Sequence, residues 1–227
     1  MEVELIHRPG NTAARVSLQP GEVCTTESGA MIAMSGNMQI ETTTHQKGKG
    51  SVLKALKRLV GGESIFMNHF EPLGGKGELW LGTALAGDML VHELDNEQLI
   101  VQGSSFLASE QGVELDIGWQ GFKSVLSGEN IFWLTLTGKG KVVLSSFGAI
   151  YPVEVDGDYI VDTGHIVAFE QTLDFSITKA GKSWLHSFLG GEGLVCKFSG
   201  RGTVWCQSHN PQSFGSSLTP NLIARKA

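Results

Sequence analysis

Apolar and polar residues alternate one for one in three separated stretches: Met38-Gln39-Ile40-Glu41, Val113-Glu114-Leu115-Asp116-Ile117 and Leu173-Asp174-Phe175-Ser176-Ile177. Period two is the spacing of a strand with one buried face, so each stretch predicts a half-buried β-strand. Each is preceded by a similar segment, Glu27-Ser28-Gly29-Ala30-Met31-Ile32-Ala33, Gln102-Gly103-Ser104-Ser105-Phe106-Leu107-Ala108 and Asp162-Thr163-Gly164-His165-Ile166-Val167-Ala168. Each is followed by a glycine-framed step, Gly75-Lys76-Gly77, Gly138-Lys139-Gly140 and Gly200-Arg201-Gly202, at spacings of 63 and 62 residues. Apolar runs flank these steps (Ile65 to Phe70, Ile131 to Thr137 and Leu194 to Ser199 before them), so each reads as a hairpin whose glycines supply positive φ. A Gly-Glu step (Gly62-Glu63, Gly128-Glu129, Gly191-Glu192) precedes each expected hairpin.

Three landmarks in one order, three times, predict a tandem triplication. The repeats are expected at residues 1–82, 83–150 and 151–227, packed as one compact domain. Between the alternating strand and the glycine step lies a segment of helical pattern: 51–60, about one turn at 122–126, and 182–189. Ser51 is the expected N-cap and Gly61 the C-terminal stop of the first. The predicted fold is therefore all-β: three β-sandwich or barrel-like repeats in a pseudo-threefold arrangement, with short helices between strands. A single repeat buries too little to be robust alone, and sheet edges left open favour self-association.

Composition sharpens this. Apolar residues make up 41% of the 227, charged residues only 18%, and there are 30 glycines against 6 prolines. Low charge suits a surface hidden in an oligomer, and abundant glycine suits many tight turns. The net charge of −6 makes nucleic acid an unfavourable partner, because phosphate neutralisation drives that binding. Cys24, Cys196 and Cys206 do not make a disulfide framework. The first 25 residues lack the apolar core of a secretory signal, and no run approaches a membrane span, so a cytoplasmic location is expected.

Candidate chemistry is sparse. The histidines (His7, His45, His69, His92, His165, His186, His209) form no ligand motif, and neither metal nor cofactor is expected. Cys196 and Cys206 lie symmetrically about Arg201 and would face each other across a hairpin, as a disulfide, as a soft-metal contact or as two small apolar core residues, the last being favoured in a reducing cytoplasm. Glu63, Glu129 and Glu192 recur, which fits a role in each repeat's backbone better than one in catalysis. Glu110 and Glu170 recur two residues after Ala108 and Ala168, where the first repeat has Ser35. The glycine steps precede strands and are not phosphate loops, and there is no nucleophile elbow. No enzymatic activity is expected. Lys47, Lys49, Lys54, Lys57 and Arg58 gather in a stretch without acidic residues. They offer a contact for an anionic membrane surface or an acidic protein partner, or simply the solvated face of an amphipathic helix.

Pro20-Gly21-Glu22 leading into Ser28-Gly29-Ala30, Gly62-Glu63-Ser64-Ile65-Phe66-Met67, Gly190-Gly191-Glu192-Gly193-Leu194-Val195 and the closing Gly202-Thr203-Val204-Trp205-Cys206-Gln207-Ser208 together resemble the mitochondrial-biogenesis (altered inheritance of mitochondria) family, over about Val3 to Ser208. The resemblance implies a triplicated unit similar to one subunit of the tryptophan RNA-binding attenuation protein, a double-stranded β-helix type. It implies no settled activity. Eukaryotic relatives are linked to mitochondrial inner-membrane organisation, but no presequence is evident, so that location does not carry over. The attenuation protein binds tryptophan and RNA using basic residues spread around a ring; those residues are not matched here position by position, and the net charge of −6 speaks against RNA. The expected function is a non-enzymatic binding or scaffolding protein forming a homo-oligomer, with a trimer favoured. The alternatives are a peripheral membrane protein using the basic helix, and a small-molecule binder whose pocket gathers His165, Glu170 or His186 from different repeats.

Overall fold

The computed structural model describes residues 1–43, 66–117, 132–179 and 194–222. Within them the protein is all-β apart from short 3-10 turns and one helix. An added strand, β1 (Glu2–Ile6), opens the chain. A first set follows: β2 (Ala13–Leu18), β3 (Cys24–Glu27), β4 (Met31–Met34), β5 (Met38–Thr43), β6 (Met67–Pro72) and β7 (Gly77–Leu81). A second set comprises β8 (Met89–Asp95), β9 (Leu99–Gln102), β10 (Phe106–Glu110), β11 (Val113–Ile117) and β12 (Trp133–Ser145). The third comprises β13 (Ile150–Asp156), β14 (Tyr159–Asp162), β15 (Ile166–Glu170), β16 (Leu173–Lys179) and β17 (Leu194–Gln207). The chain's one described α-helix, α1 (Pro211–Leu218), comes after the last strand. It is capped by Asn210, whose side chain accepts from the Gln212 and Ser213 backbone N–H groups.

The antiparallel pairing is the same in each set. In the second, the first part of β12 pairs with β9 and β11, and its last part with β8 and β10. In the third, β17 begins between β14 and β16 and ends between β13 and β15. In the first, β6 pairs with β3 and β5, and β7 with β2 and β4. Two three-stranded layers thus share one long strand, which is interrupted only in the first set.

This corrects the hairpin expectation. Gly138-Lys139-Gly140 and Gly200-Arg201-Gly202 lie inside β12 and β17. Both edges of β6 and β7 are taken by other strands, so these two do not fold back on each other. Positive φ at Gly138 (98°), Gly140 (144°) and Gly200 (109°) bends a continuing strand from one layer into the next. At Gly138 a Cβ would lie 2.3 Å from the carbonyl oxygen of Gly112, so the bend brings two backbones together where a side chain has no room. Cys196 and Cys206 consequently lie at opposite ends of one strand, opposite Val161 and Tyr151 respectively.

Adjacent sets join by strand pairing. β10 pairs with β3 (Ala108↔Thr26, Ser109↔Thr25, Glu110↔Cys24), and β15 with β9 (Ala168↔Val101, Phe169↔Ile100, Glu170↔Leu99). The cores interlock across these junctions. Leu107 and Val143 belong to the cluster around Phe70 and Leu79, and Val167 to that around Leu134 and Leu136. Arg8 adds a tether, donating from Nε and Nη2 to both carboxylate oxygens of Asp88 at 2.9 Å, while Thr12 donates to the same group at 2.8 Å.

A third junction of the same kind would pair β4 with β14, and these two do not pair: among the described residues β4 pairs only with β7, and β14 only with β17. Ile32, Leu107 and Val167 occupy the same bulge position in β4, β10 and β15, yet Ile32 is 60% exposed where Leu107 and Val167 are 0%. Ile160 and Ile100, each two residues before the end of its strand, are 62% and 1% exposed. Met31 and Met34 of β4 and Tyr159 of β14 are exposed too.

Candidate functional site

Glu110 and Glu170 end β10 and β15 and so stand at the first and second junctions. Each turns one carboxylate oxygen, Oε2, onto the bend of its long strand. Glu110 accepts the Lys141 backbone N–H at 2.8 Å, and Glu170 accepts that of Thr203 at 3.0 Å. The approach requires glycine beneath it: a Cβ on Gly140 would sit 2.8 Å from Glu110 Oε2, and one on Gly202 2.9 Å from Glu170 Oε2. The recurrence of these glutamates therefore has a backbone cause.

A second glutamate faces each from the neighbouring set. Glu22 precedes β3, and its Oε2 accepts the Gln19 backbone N–H at 2.8 Å. Glu97 precedes β9 and repeats the turn, accepting the Asp95 backbone N–H at 3.0 Å. In all four residues Oε2 takes the backbone bond, which leaves Oε1 for other partners.

The first junction is filled. The Met1 ammonium lies 2.7 Å from Glu22 Oε1 and 3.1 Å from Glu110 Oε1, and is almost wholly covered. Lys141 Nζ donates to the Met1 carbonyl oxygen at 3.2 Å. Burial pulls the ammonium's pKa down, but the hydrogen bonds to Glu22 and Glu110 outweigh this and leave it raised above 8.0. The same bond, with the Gln19 N–H, holds the Glu22 carboxyl below its ordinary range.

The second junction is open. A cleft of about 610 Å³ is lined by His92, Glu97, Gln98, Leu99 and Thr137 of the second set and by Glu170 and Thr172 of the third, among others. His92 stands where the first and third sets have Val16 and Val153, each opposite the same position of the long strand. Its Nε2 has no hydrogen-bond partner among the described residues and lies 3.6 Å from Glu97 Oε1, while its ring meets Trp205 edge-on at 5.1 Å.

Of the residues proposed to gather in a pocket, Glu170 lines this cleft. His165 does not; its Nδ1 bonds the Gln207 carbonyl oxygen at 2.8 Å. His186 lies outside the described residues, as do Glu63, Glu129, Glu192, the helical segments at 51–60, 122–126 and 182–189, and the basic cluster Lys47, Lys49, Lys54, Lys57 and Arg58. Sequence reasoning gave none of Glu22, Glu97 and His92 a role: Glu22 stood only in the family motif Pro20-Gly21-Glu22 and His92 only among the histidines, and a glutamate a few residues after an apolar strand is common in turns. The three cysteines are buried and unbonded, and burial pushes their thiols up to about 12 (Cys24, Cys196) and 11 (Cys206), so they are unreactive at neutral pH. Among the described residues no three His, Cys, Asp or Glu side chains cluster as metal ligands, and no helix is long and apolar enough to cross a membrane.

Comparison with known proteins agrees with this architecture. An uncharacterised protein of Streptococcus pyogenes serotype M6 is 28% identical over 209 residues, covering 89% of this chain and 84% of that protein. A crystal structure of a Streptococcus pyogenes protein superimposes with a TM-score of 0.81 at 26% identity, covering 97% of this chain and 99% of the other. The family model described as Mitochondrial biogenesis AIM24 matches residues 3–209, nearly the whole described fold, and the chain belongs to that family.

Proposed function

We propose that the protein is a non-enzymatic scaffold that assembles head to tail, β4 of one copy pairing with β14 of the next. The observation that carries this is the exposure of Ile32 and Ile160 at positions whose counterparts are buried in the two internal junctions. Open strand edges in proteins that stay monomeric are blunted by charge or proline. Among the described residues the other strands with an open edge follow that rule, with Glu2 and Glu4 in β1, Glu41 in β5, Glu93 in β8, Glu114 in β11, Pro152 in β13, Asp162 in β14 and Asp174 in β16. β4 reads Met-Ile-Ala-Met, with neither. Two different surfaces meeting head to tail form a closed ring or a filament, and closure leaves no β4 or β14 edge unpaired.

Light scattering on the eluting protein tests this. A mass that is a fixed multiple of 24.4 kDa is expected, and its value reads the ring size, for which a trimer is the expectation. A folded protein that stays monomeric at all concentrations sinks the proposal. Register is testable separately. By the internal junctions' rule Met34 should oppose Ile160, so Met34→Cys and Ile160→Cys on different copies should cross-link under oxidation.

A second reading, a small molecule bound between two sets of strands, is favoured by the open cleft at the second junction. Native mass spectrometry of the purified protein, searching for a copurified ligand, tests it.

A further inference from the structure

Each internal junction has two glutamates whose Oε2 atoms are tied to backbone N–H groups, and only the first pair holds a cation among the described residues. In the first, Glu22 Oε1 and Glu110 Oε1 converge on a primary ammonium. In the second, Glu97 and Glu170 have their Oε2 atoms tied to backbone N–H groups just as Glu22 and Glu110 do, and both residues line the cleft. No described residue supplies a cation there, and the one nearby nitrogen without a hydrogen-bond partner is His92 Nε2.

We propose that the second-junction cleft is a binding site for a small molecule carrying a primary ammonium group, held between Glu97 Oε1 and Glu170 Oε1. The proposal rests on the reading that a junction binds a small molecule, and is independent of self-assembly. The first junction supplies the template. An ammonium has three N–H donors; Glu22 and Glu110 accept two of them there, and the organic part of Met1 packs against the first core. In the second junction Leu99 and Thr137 offer the apolar and polar walls for the equivalent organic part, and His92 borders the same cleft. Lys141, which donates to the Met1 carbonyl oxygen, is replaced by Thr203 at the corresponding place opposite the first strand of its set, so the second site lacks a cation to repel an amine. The third junction, were it made between copies, would bring Ser35 in place of a glutamate, which restricts the site to one per chain.

The test uses L-methioninamide, which copies the group seated in the first junction, and N-acetyl-L-methioninamide, which lacks the charge. Both are titrated into the full-length protein by calorimetry and by saturation-transfer NMR, up to about millimolar concentration. Methioninamide should bind, and the acetylated compound should bind at least tenfold more weakly. Glu97→Gln and Glu170→Gln should each weaken methioninamide at least tenfold, whereas Glu22→Gln, at the first junction, should not. Glu97 is half exposed and bonds only its own turn, so its variant remains informative if Glu170→Gln, which loosens the β17 bend, fails to fold. Equal binding of the acetylated compound overturns the ammonium assignment while leaving a small-molecule site. Methioninamide binding unchanged by Glu97→Gln overturns the location. Binding of neither compound overturns the ammonium proposal, and if native mass spectrometry also finds no ligand the junction-site reading falls with it.

Discussion

Ile100 and Ile160 are the same residue at the same place in consecutive sets of strands, and they differ in one respect. β9 has β15 alongside it, whereas among the described residues β14 has no strand on the corresponding edge, so one isoleucine is 1% exposed and the other 62%. Local sequence does not cause that difference; the presence or absence of a following set does. Where another set follows, an edge is covered; β4 and β14 keep an uncovered edge among the described residues, and these are the two edges to which assembly is assigned. The largest expected effect follows directly. Ile100→Lys buries an unpaired charge between two strands and should cost more than about 4 kcal/mol, enough to unfold the protein. Ile160→Lys should change the unfolding free energy of the chain itself by no more than about 0.5 kcal/mol, yet reduce the assembled mass to that of one chain. Urea denaturation of both variants, with light scattering at each protein concentration, checks this. An Ile160→Lys protein that remains assembled would mean that β14 is not an assembly edge.

Much of this was legible in the sequence, and the reasons for the rest are physical. The alternating stretches located β5, β11 and β16, and all-β architecture followed; the expected one-sided burial holds in β11 and β16, whereas in β5 only Met38 is buried and Ile40 is 44% exposed. The glycine steps were located but misread. Positive φ is needed both by a hairpin turn and by a bend in a through-going strand, and Gly138-Lys139-Gly140 does not say which. Whether the flanking segments pair with each other or with four other strands is decided by sheet neighbours far away in sequence. The recurrence of Glu110 and Glu170 was visible, but their partners Glu22 and Glu97 come from the preceding set, and a junction between sets leaves no local pattern. His92 differs from Val16 and Val153 only once the strands are superimposed by register.

The same comparison extends to the residue that ends the second strand of each set: Glu27, Gln102 and Asp162. Asp162, beside the open edge, accepts the Gly164 backbone N–H at 2.8 Å, and Gln102 is neutral. Glu27 ends a strand covered by β10, and burial raises its carboxyl to about 7 from 4.5. A carboxyl with a raised folded-state pKa takes up a proton on folding between those two values. Its effect is nil below pH 4.5, grows as pH rises, and is complete above about pH 7, where the folded state bears a penalty of roughly 3 kcal/mol. Glu27→Gln should therefore leave stability unchanged at pH 4, remove the decline between pH 4.5 and 7, and raise stability at pH 8 by up to about 3 kcal/mol. Denaturant midpoints across that range measure it, and parallel curves for the two proteins would show that Glu27 is solvated.

The smallest effect separates the two internal junctions. Glu22→Gln removes one of the two carboxylates holding the Met1 ammonium and should cost about 1 kcal/mol, less in high salt. Glu97→Gln, at the open cleft, removes a charge that holds no cation among the described residues, so it should cost less than about 0.5 kcal/mol. The pH dependence of the difference identifies its source. The Met1 ammonium has its pKa raised above 8.0, so its contribution is whole below pH 8.0 and fades as pH climbs through the raised value. The gap between the two variants should accordingly be constant from pH 6 to 8 and close in more alkaline solution. Adding methioninamide should stabilise the wild-type protein and the Glu22→Gln variant, and leave Glu97→Gln where it was. In that experiment the open junction acquires from solution what the filled one takes from its own chain.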